Sequence, residues 1–315
     1  MEFATLVTSI MIMAVIIGIG AIIGNRINFT GEARQLLVTI IVNVAMPCII
    51  LHGIFQSTID EQLLKQILLI FFFGVMFSCI GILIGWFGAK SLHLPPQQAK
   101  EMAIVSGLGN TGFIGLPLCA ALFGPKGALL AAVYDAGLDF VIWTVGVMLL
   151  QKKRKFSFKN LLSIINIPMI AIFVGLCIAI FHVEPPAMVK QLTEILAKIA
   201  SPLAMLYIGL LIPKSIKNQK TSNRPLTLLG MPITMKLFVV PLVSAVMLYL
   251  FAPQKEIAQV VLVQTAMPTI AMASILFARY AADEEMGAMT TVTSTLVGLI
   301  SIPFVILLGN MIINA

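Results

Sequence analysis

Residues 109–117 of this chain read Gly-Asn-Thr-Gly-Phe-Ile-Gly-Leu-Pro, so three glycines and a proline fall within nine residues. Both residue types weaken a helix, because glycine leaves the backbone unrestricted and proline has no N–H group to donate. The surrounding stretch, residues 101–122, has the length and apolar character of a segment that crosses a membrane. We therefore predict a membrane-spanning segment that is interrupted near its middle.

The composition of the whole chain indicates an integral membrane protein. Hydrophobic residues make up 59% of the 315 residues, charged residues make up only 10%, and the mean hydropathy is +1.04. A soluble domain usually carries about a quarter charged residues. The composition excludes a soluble enzyme, a disordered chain and a disulfide-built secreted scaffold. The four cysteines all lie in apolar runs and are interpreted as small buried hydrophobic residues.

Ten stretches of the chain have the length and hydropathy of a membrane-spanning helix. Such a helix needs about 20 apolar residues, because each residue advances it by about 1.5 Å. The predicted spans are 5–24, 35–55, 65–89, 101–122, 128–150, 161–181, 194–213, 226–251, 256–280 and 287–311. We predict an all-α membrane protein with ten transmembrane helices.

Lysine and arginine are unevenly shared between the loops on the two sides of the predicted membrane. The loops after odd-numbered spans hold 14 of the 20 basic residues, namely Arg26, Arg34, Lys90, Lys100, Lys152, Lys153, Arg154, Lys155, Lys159, Lys214, Lys217, Lys220, Arg224 and Arg279. The loops after even-numbered spans hold Lys65, Lys126, Lys190, Lys198 and Lys255, while Lys236 lies inside span eight. Since cytoplasmic loops carry the excess of positive charge, we predict that the loops after odd-numbered spans are cytoplasmic and that both termini lie outside.

The net charge of +7 therefore comes from connecting loops, and we predict no nucleic-acid partner. The densest basic cluster, Lys152 to Lys155, lies between spans five and six. Two interpretations are open for this cluster: an anchor of the membrane topology, or a switch that binds lipid headgroups.

The same loop divides the ten spans into two sets of five. We predict a first repeat of residues 1–151, a short basic cytoplasmic loop of residues 152–160, and a second repeat of residues 161–315. Because five is an odd number, the second repeat enters the bilayer in the opposite sense, as in the inverted repeats of secondary transporters. The fourth span of each repeat carries helix-breaking residues at mid-depth. We expect spans four and nine to be broken helices that cross.

Two broken helices that cross inside a bilayer favour an anion site. Backbone groups released from a helix cannot meet water in lipid, so breaks are tolerated only where they line a cavity or the protein interior. The free N–H groups and the positive helix ends suit a carboxylate. An alternative is that the glycines only allow close helix packing. The predicted substrate-binding residues are Asn43, Asn110, Thr111, Gly112, Gln264, Pro268 and Thr269, and the predicted helix-breaking residues are Pro47, Gly109, Gly115 and Pro117.

Two aspartates are predicted at membrane depth in span five. Asp135 and Asp139 are one helical turn apart and share a face, and each charge there costs at least about 2.5–3.5 kcal/mol. Three interpretations are open. The pair carries a proton or holds a cation such as Na⁺ during transport, or Asp139 forms a structural pair with Lys236, or the carboxylates lie at a water-exposed helix end.

Two further polar residues inside spans have alternative roles. Lys236 is either the positive partner of a substrate carboxylate or a scaffold or gate residue. Asn43, four residues before Pro47, either bonds carbonyl groups freed by the proline or contacts the ligand. We predict no catalytic residue, no metal site and no cofactor, because the three histidines fall at span ends and no nucleotide-binding motif occurs.

Four motifs, in order along the chain, resemble those of the auxin efflux carrier family. Asn43 to Pro47 resembles its Asn-x-x-x-Pro signature, and Lys236 to Pro241 resembles its basic-residue-to-proline pattern. Residues 264–283, QTAMPTIAMASILFARYAAD, are similar to its ninth-span segment, which ends in Tyr-x-x-Asp. Thr295 and Pro303 fit its last span.

The resemblance implies a secondary transporter of organic anions with a fold similar to that of bile acid sodium symporters. Such a fold has a scaffold domain and a transport domain that contains the crossed helices, and the family precedent is a homodimer. Bacterial members are permeases for malate, malonate and related carboxylates, and the short central loop favours this type. The resemblance thus implies a multi-pass protein of the bacterial inner membrane, with the outside termini in the periplasm. Plant members export auxin, but the single proline near the second crossover, Pro268, disfavours auxin here.

We therefore expect a non-enzymatic carrier of malate-like or malonate-like carboxylates that works by alternating access around the crossing, with H⁺ or Na⁺ as the coupling ion. The alternatives are an efflux carrier of auxin-like aromatic carboxylates, a sodium-coupled anion symporter and, from a different class, an anion channel.

Overall fold

The computed structural model describes residues 3–57, 60–151, 165–221 and 226–314, and the regular structure within them is helical. The described α-helices are α1 Phe3–Arg26, α2 Gly31–Ile40, α3 Met46–Phe55, α4 Glu61–Ser91, α5 Pro96–Gly107, α6 Leu116–Val141, α7 Val147–Leu150, α8 Ile167–Ile180, α9 Ala187–Thr221, α10 Leu226–Thr234, α11 Val240–Phe251, α12 Lys255–Thr265, α13 Ala273–Arg279 and α14 Glu284–Ile313. The predicted basic loop of residues 152–160 lies outside the described residues.

Within the described part of the chain, seven helical stretches are long and apolar enough to cross a membrane. They are Val7–Arg26, Gly31–Phe55, Glu61–Ser91, Thr111–Leu150, Ala187–Pro213, Leu229–Phe251 and Glu284–Ile313. The all-helical membrane class predicted from the composition is therefore confirmed. The count of ten spans stays a prediction, because α5, α8, α12 and α13 are each shorter than a full membrane crossing.

The stretch Thr111–Leu150 is not one straight helix. Gly124 has φ 68° and ψ −160°, a backbone conformation in the positive-φ region that glycine adopts without steric cost, and Pro125 follows it. The helix is therefore broken at this point within α6, and residues 125–141 form a separate segment that carries both aspartates of span five.

The outer surface is apolar where a soluble protein would be polar. Along α4, for example, Leu68, Phe72, Leu83 and Phe87 are each more than half exposed. These residues repeat at helical spacing on one face, and a contiguous exposed apolar stripe of this kind indicates contact with lipid.

The helices pack as two bundles. The scaffold bundle, as we name it, consists of α1, α2, α3, α8 and α9, with α1 and α3 packed against α9 and α8 packed against α3. The crossing bundle consists of α4 to α7 and α10 to α14, with α4 packed against α5 and α6, and α14 packed against α11 and α13. The two bundles meet chiefly where α3 contacts α6; α1 and α9 also contact α14, and α1 and α8 contact α6.

Glycines let the helices of the scaffold bundle approach closely. A Cβ added at Gly20 in α1 would lie 2.5 Å from the carbonyl oxygen of Leu206 and 3.0 Å from the Cα of Gly209, both in α9. Gly18, on the same helix, has nothing within 4 Å of an added Cβ. Small residues at such contacts are the usual means by which membrane helices gain van der Waals packing.

This pair of glycines allows a matched test of the packing. Gly20→Ala is expected to lower the thermal stability of the purified protein, since overpacking a close contact costs about 1–3 kcal/mol. Gly18→Ala is expected to leave it unchanged or raise it, because alanine favours a helix by about 0.5–1 kcal/mol over glycine. Melting temperatures in detergent measure the difference, and equal values for the two variants would contradict the α1–α9 contact.

Three short π-helical segments each end two residues before a proline. Ile41–Ala45, Thr111–Gly115 and Met235–Val239 precede Pro47, Pro117 and Pro241, respectively. A proline ring clashes with the carbonyl group four residues earlier, and a widened turn relieves that clash. A fourth segment in the described chain, Ile142–Gly146, has no proline after it, so this explanation does not apply there.

Candidate functional site

The first interruption lies between α5 and the π-helical segment Thr111–Gly115. Leu108 has φ −95° and ψ 126°, and Asn110 has φ −82° and ψ 61°, so neither residue is helical. Gly107 ends α5, and a Cβ there would lie 2.7 Å from the main-chain carbonyl carbon of Gly81 in α4. Close contact with α4 therefore holds the end of α5 in place, and only glycine fits it.

The second interruption lies between α12 and α13. α12 ends at Thr265 and α13 begins at Ala273, while residues 266–272 form turns without a continuous helix. Pro268 lies within this stretch. Proline has no N–H group, and it disfavours helical backbone in the residue before it, so Pro268 favours an interruption at this position.

The two interruptions meet, and we call residues 108–110 and 268–270 the crossing. The main-chain N–H of Asn110 donates to the carbonyl oxygen of Pro268 over 2.7 Å, and the N–H of Ile270 donates to that of Leu108 over 3.0 Å. Gly109 and Thr269 thus form an isolated antiparallel bridge. Main-chain groups released from one helix are satisfied by the other, which explains how both breaks are tolerated at membrane depth.

This pairing corrects one expectation from the sequence. We expected the main-chain donors at the breaks to face a pocket, but the N–H groups of Asn110 and Ile270 are both used within the crossing. The N–H of Thr269 also has a partner, the hydroxyl of Ser294 at 3.1 Å. The donors that a ligand can still reach are those of the first turn after the break, which begins at Thr111 and has no preceding turn to accept its N–H groups.

Lys236 lies behind the crossing, in the interior of the crossing bundle. Its side chain is 2% exposed, and its Nζ donates to the carbonyl oxygen of Thr265 over 2.9 Å. A Cβ added at Gly109 would lie only 3.1 Å from this Nζ. The ammonium group therefore contacts the carboxyl end of α12, where a helix carries partial negative charge, and it touches the crossing directly. The alternative pairing of Lys236 with Asp139 is not formed.

The side chain of Asn110 lies at the front of the crossing. It is 4% exposed, and it has no hydrogen-bond partner among the described residues. It lines two cavities that lie side by side, and Asn110, Phe113 and Ala271 form part of the wall of both. The Asn110 amide is therefore a polar group that a ligand in either cavity can reach, whereas the buried Oε1 of Gln264, which also has no hydrogen-bond partner among the described residues, lines neither cavity.

One of the two cavities beside Asn110 is lined by Asp135 and Asp139 of α6, and we call it the acidic cavity. Its volume is about 100 Å³. Asp135 accepts a hydrogen bond from the hydroxyl of Thr111, and a Cβ at Gly112 would lie 2.9 Å from one of its carboxylate oxygens. Gly112 therefore lets the carboxylate approach the chain just after the break. Asp135 lies near the middle of residues 125–141, whereas Asp139 lies two residues before the end of α6, and both are partly exposed, so the interpretation as a water-exposed helix end stays open.

Asp139 lies one turn further along α6 and bonds to a residue that the sequence analysis did not single out. Asn166 donates from Nδ2 to Asp139 Oδ2 over 2.7 Å, and its own Oδ1 accepts from the main-chain N–H of Met169. Asn166 is thus the N-cap of α8, with a proline two residues later. An asparagine before Ile167 and Pro168 is a recognisable helix-start signal, and this signal could have identified the residue.

The other cavity beside Asn110 is lined by uncharged residues, and we call it the neutral cavity. Its volume is about 20 Å³, smaller than that of the acidic cavity. Phe113 and Tyr207 form part of its wall, with ring centroids 5.8 Å apart. The hydroxyl of Tyr207 accepts a hydrogen bond from Nε of Arg34 over 3.1 Å, so a cation lies directly behind this wall. Thr291 and Thr295 also line the cavity, but their hydroxyls donate to main-chain carbonyls.

Comparison with known proteins gives the wider context of this site. A sequence model described as membrane transport protein matches residues 5–306. The chain belongs to this family. The resemblance to the auxin efflux carrier family noted above is thereby confirmed. A transporter of Methanothermobacter thermautotrophicus, described as uncharacterized, is 22% identical over 273 residues, which cover 86% of this chain and 88% of the relative. A transporter of Methanocaldococcus jannaschii, also described as uncharacterized, is 26% identical over 281 residues, which cover 86% of this chain and 88% of the relative.

Not every predicted site residue of this membrane transport protein lies at the cavities. The side chain of Asn43 is exposed and lines neither of them. Gln264 is fully buried and donates from Nε2 to the carbonyl oxygen of Ala131 over 3.0 Å, and its Oε1 packs against Gly115. Thr269 donates from its hydroxyl to the carbonyl oxygen of Val105. In this conformation of the transport protein, Thr269 links the second interrupted segment to α5, and Gln264 links α12 to residues 125–141 of α6.

Proposed function

We propose that this membrane transport protein is a secondary active transporter of small organic anions that carry a carboxylate, with the substrate bound in front of the crossing. The observation that carries the proposal is the buried amide of Asn110, which has no partner among the described residues. The amide lines both cavities, so a substrate carboxylate there can accept from its Nδ2, and a hydrogen bond to a charged group contributes about 1.5–3 kcal/mol. The N–H groups of the first turn from Thr111 add positive partial charge beside it.

The two cavities suit two different charges. An anion beside Asp135 and Asp139 would be repelled, whereas the neutral cavity has no acidic residue in its wall. We infer that the substrate carboxylate occupies the neutral side of Asn110. The aspartates then take the coupling ion, either a proton or Na⁺, on the acidic side. Binding of a cation next to the anion lowers the electrostatic cost of carrying either one through the membrane.

We further propose the ten-span topology of two inverted repeats, residues 1–151 and 161–315, in a prokaryotic cell membrane with both termini outside. Its support is that one interrupted segment from each half contributes to the crossing. In that topology Asn166, at the start of α8, lies on the cytoplasmic side, and we propose that the acidic cavity, which it lines, opens toward the cytoplasm. Transport then consists of a movement of the crossing bundle against the scaffold bundle that closes this side and opens the other.

The proposed substrates are small aliphatic carboxylates such as malate and malonate. Arg34 supports this choice, because its guanidinium is always charged and makes no ion pair within the described chain. It is positioned to attract an anion toward Tyr207. The neutral cavity, at about 20 Å³, has room for about one water molecule, so it has to widen for any of these substrates, and an auxin-like aromatic carboxylate remains the alternative.

A thermal-shift experiment tests the proposal. The purified protein is heated with malonate, malate, indole-3-acetate or chloride, each in sodium and potassium buffers at two pH values. A ligand at 100 times its dissociation constant stabilises the folded state by about 2.7 kcal/mol, so malonate or malate should raise the melting temperature by several degrees. The absence of any carboxylate-specific rise in all four buffers would refute the substrate class.

Counterflow in proteoliposomes separates a carrier from an anion channel. Vesicles loaded with unlabelled substrate should transiently accumulate labelled substrate above its outside concentration, because a carrier exchanges one molecule for another across alternating states. A channel only dissipates the gradient. Labelled uptake that is the same in loaded and empty vesicles would favour the channel.

A further inference from the structure

The hydrogen bond between Asn166 and Asp139 connects the two helix bundles. Asp139 belongs to α6 of the crossing bundle, and Asn166 begins α8 of the scaffold bundle. The amide of Asn166 is held by its capping bond to Met169 at 2.8 Å, so its NH₂ group points at Asp139 without freedom to turn away. A movement of one bundle past the other in this region has to break the bond to Asp139.

The strength of this bond depends on the charge of Asp139. A hydrogen bond to an ionised carboxylate is roughly twice as strong as one between neutral groups. The only other charged or titratable side chain among the residues that line the acidic cavity is Asp135, on the same helix; the lining from neighbouring elements consists of Val42, Met46, residues 109–113, Asn166 and residues 270–272. The charge at Asp139 is therefore set by Asp135 and by whatever cation or proton enters the cavity.

We propose that Asn166 is a positioning residue that couples ion binding at the aspartate pair to movement between the bundles. When Asp139 is ionised and free of cation, Asn166 holds it and keeps the bundles docked as in this structure. When a proton or Na⁺ occupies Asp139, the bond weakens and the crossing bundle is released. This inference rests on the proposed transport function, because it gives the ion a mechanical role in the transport cycle.

Asn166 makes two hydrogen bonds that substitution can separate: the cap, in which its Oδ1 accepts from the N–H of Met169, and the tether, in which its Nδ2 donates to Asp139. Asn166→Ser keeps a side-chain oxygen that caps α8 but has no NH₂ group to reach Asp139, and Asn166→Thr provides a second variant of the same kind. Thr30→Ala is the control for a lost cap elsewhere, since the hydroxyl of Thr30 accepts from the N–H of Ala33 at the start of α2. Thr30 does not line the acidic cavity.

The experiment measures the melting temperature as sodium chloride replaces choline chloride at constant ionic strength, and separately across a pH series, without any carboxylate. Removing the competing donor should lower the half-saturating sodium concentration about tenfold in Asn166→Ser, or move the midpoint of the pH response about one unit upward. Thr30→Ala should keep the midpoint of the wild-type protein. Unchanged midpoints in both Asn166 variants, or a wild-type protein that responds to neither ion, would overturn the proposal.

Transport assays then distinguish failure of this inference from failure of the proposed function. In Asn166→Ser, loss of the tether should allow labelled malonate to leave loaded vesicles without sodium or a pH gradient, while stabilisation by malonate itself is kept. Malonate efflux that stays as dependent on the ion as in the wild-type protein would contradict the tether. A wild-type protein that binds sodium or protons but no carboxylate would instead contradict the substrate class, and the ion titration of Asn166→Ser would still test the tether.

Discussion

Asn110→Ala is expected to abolish the stabilisation by malonate or malate and to lower uptake by at least about tenfold. The amide has no protein partner among the described residues, so it is available to the ligand, and loss of one hydrogen bond to a charged group corresponds to about 1.5–3 kcal/mol. The unliganded protein should melt at nearly the same temperature as the wild type. The main-chain bond from Asn110 to Pro268 is kept, because alanine also supplies an N–H group.

Asn310→Ala provides the matched control for this prediction. The amide oxygen of Asn310 is also buried without a hydrogen-bond partner among the described residues, but it lies about 24 Å farther along α14 than Ser294. Its removal should leave carboxylate binding unchanged. Normal uptake by Asn110→Ala, or an equal loss in Asn310→Ala, would contradict the placement of the substrate at the crossing.

Asp135→Asn and Asp139→Asn are expected to remove the response of transport to the coupling ion. With a tenfold gradient of protons or sodium, one-to-one coupling lets the wild-type protein accumulate substrate about tenfold. Each variant should reach only the outside concentration, while exchange of labelled for unlabelled substrate continues. Because a charge at membrane depth costs at least about 2.5–3.5 kcal/mol, neither variant should melt at a lower temperature than the wild type.

Asp60→Asn is the control for these two substitutions. Asp60 caps α4 outside the predicted spans, where its Oδ1 accepts from the N–H of Leu63 over 2.7 Å, and asparagine caps a helix equally well. The Asp60→Asn variant should transport and accumulate substrate as the wild-type protein does. A response to the imposed gradient that survives in both cavity variants would show that the aspartates do not carry the ion.

Much of this fold could be predicted because the relevant signals are local. Glycine and proline weaken a helix, so the glycines from Gly109 to Gly115 and the proline at 268 predicted the two interruptions within a few residues, although a single proline such as Pro202 or Pro303 lies inside a continuous helix. The shared face of Asp135 and Asp139 follows from helical spacing alone. The apolar runs predicted a membrane protein, and the exposed apolar faces of the helices agree with it.

The partners of the site residues could not be predicted, because they come from distant parts of the chain. Asp139 was considered as a partner of Lys236, but it bonds Asn166 instead, 27 residues away. Lys236 binds the carbonyl group of Thr265, 29 residues away, and Arg34 reaches Tyr207 across 173 residues. The predicted ligand contact of Gln264 depends in the same way on packing, which in this structure turns its amide to Ala131.

The sequence by itself determined the environment of this protein and the places where its helices break, since hydropathy and the backbone limits of glycine and proline act within a few residues. Only the tertiary structure decided which freed main-chain groups satisfy one another and which polar side chain is left over. In the bilayer a released N–H or carbonyl group has no water to bond, so the two breaks had to pair with each other. That pairing consumed the donors we expected to bind substrate and left the amide of Asn110 facing the cavities.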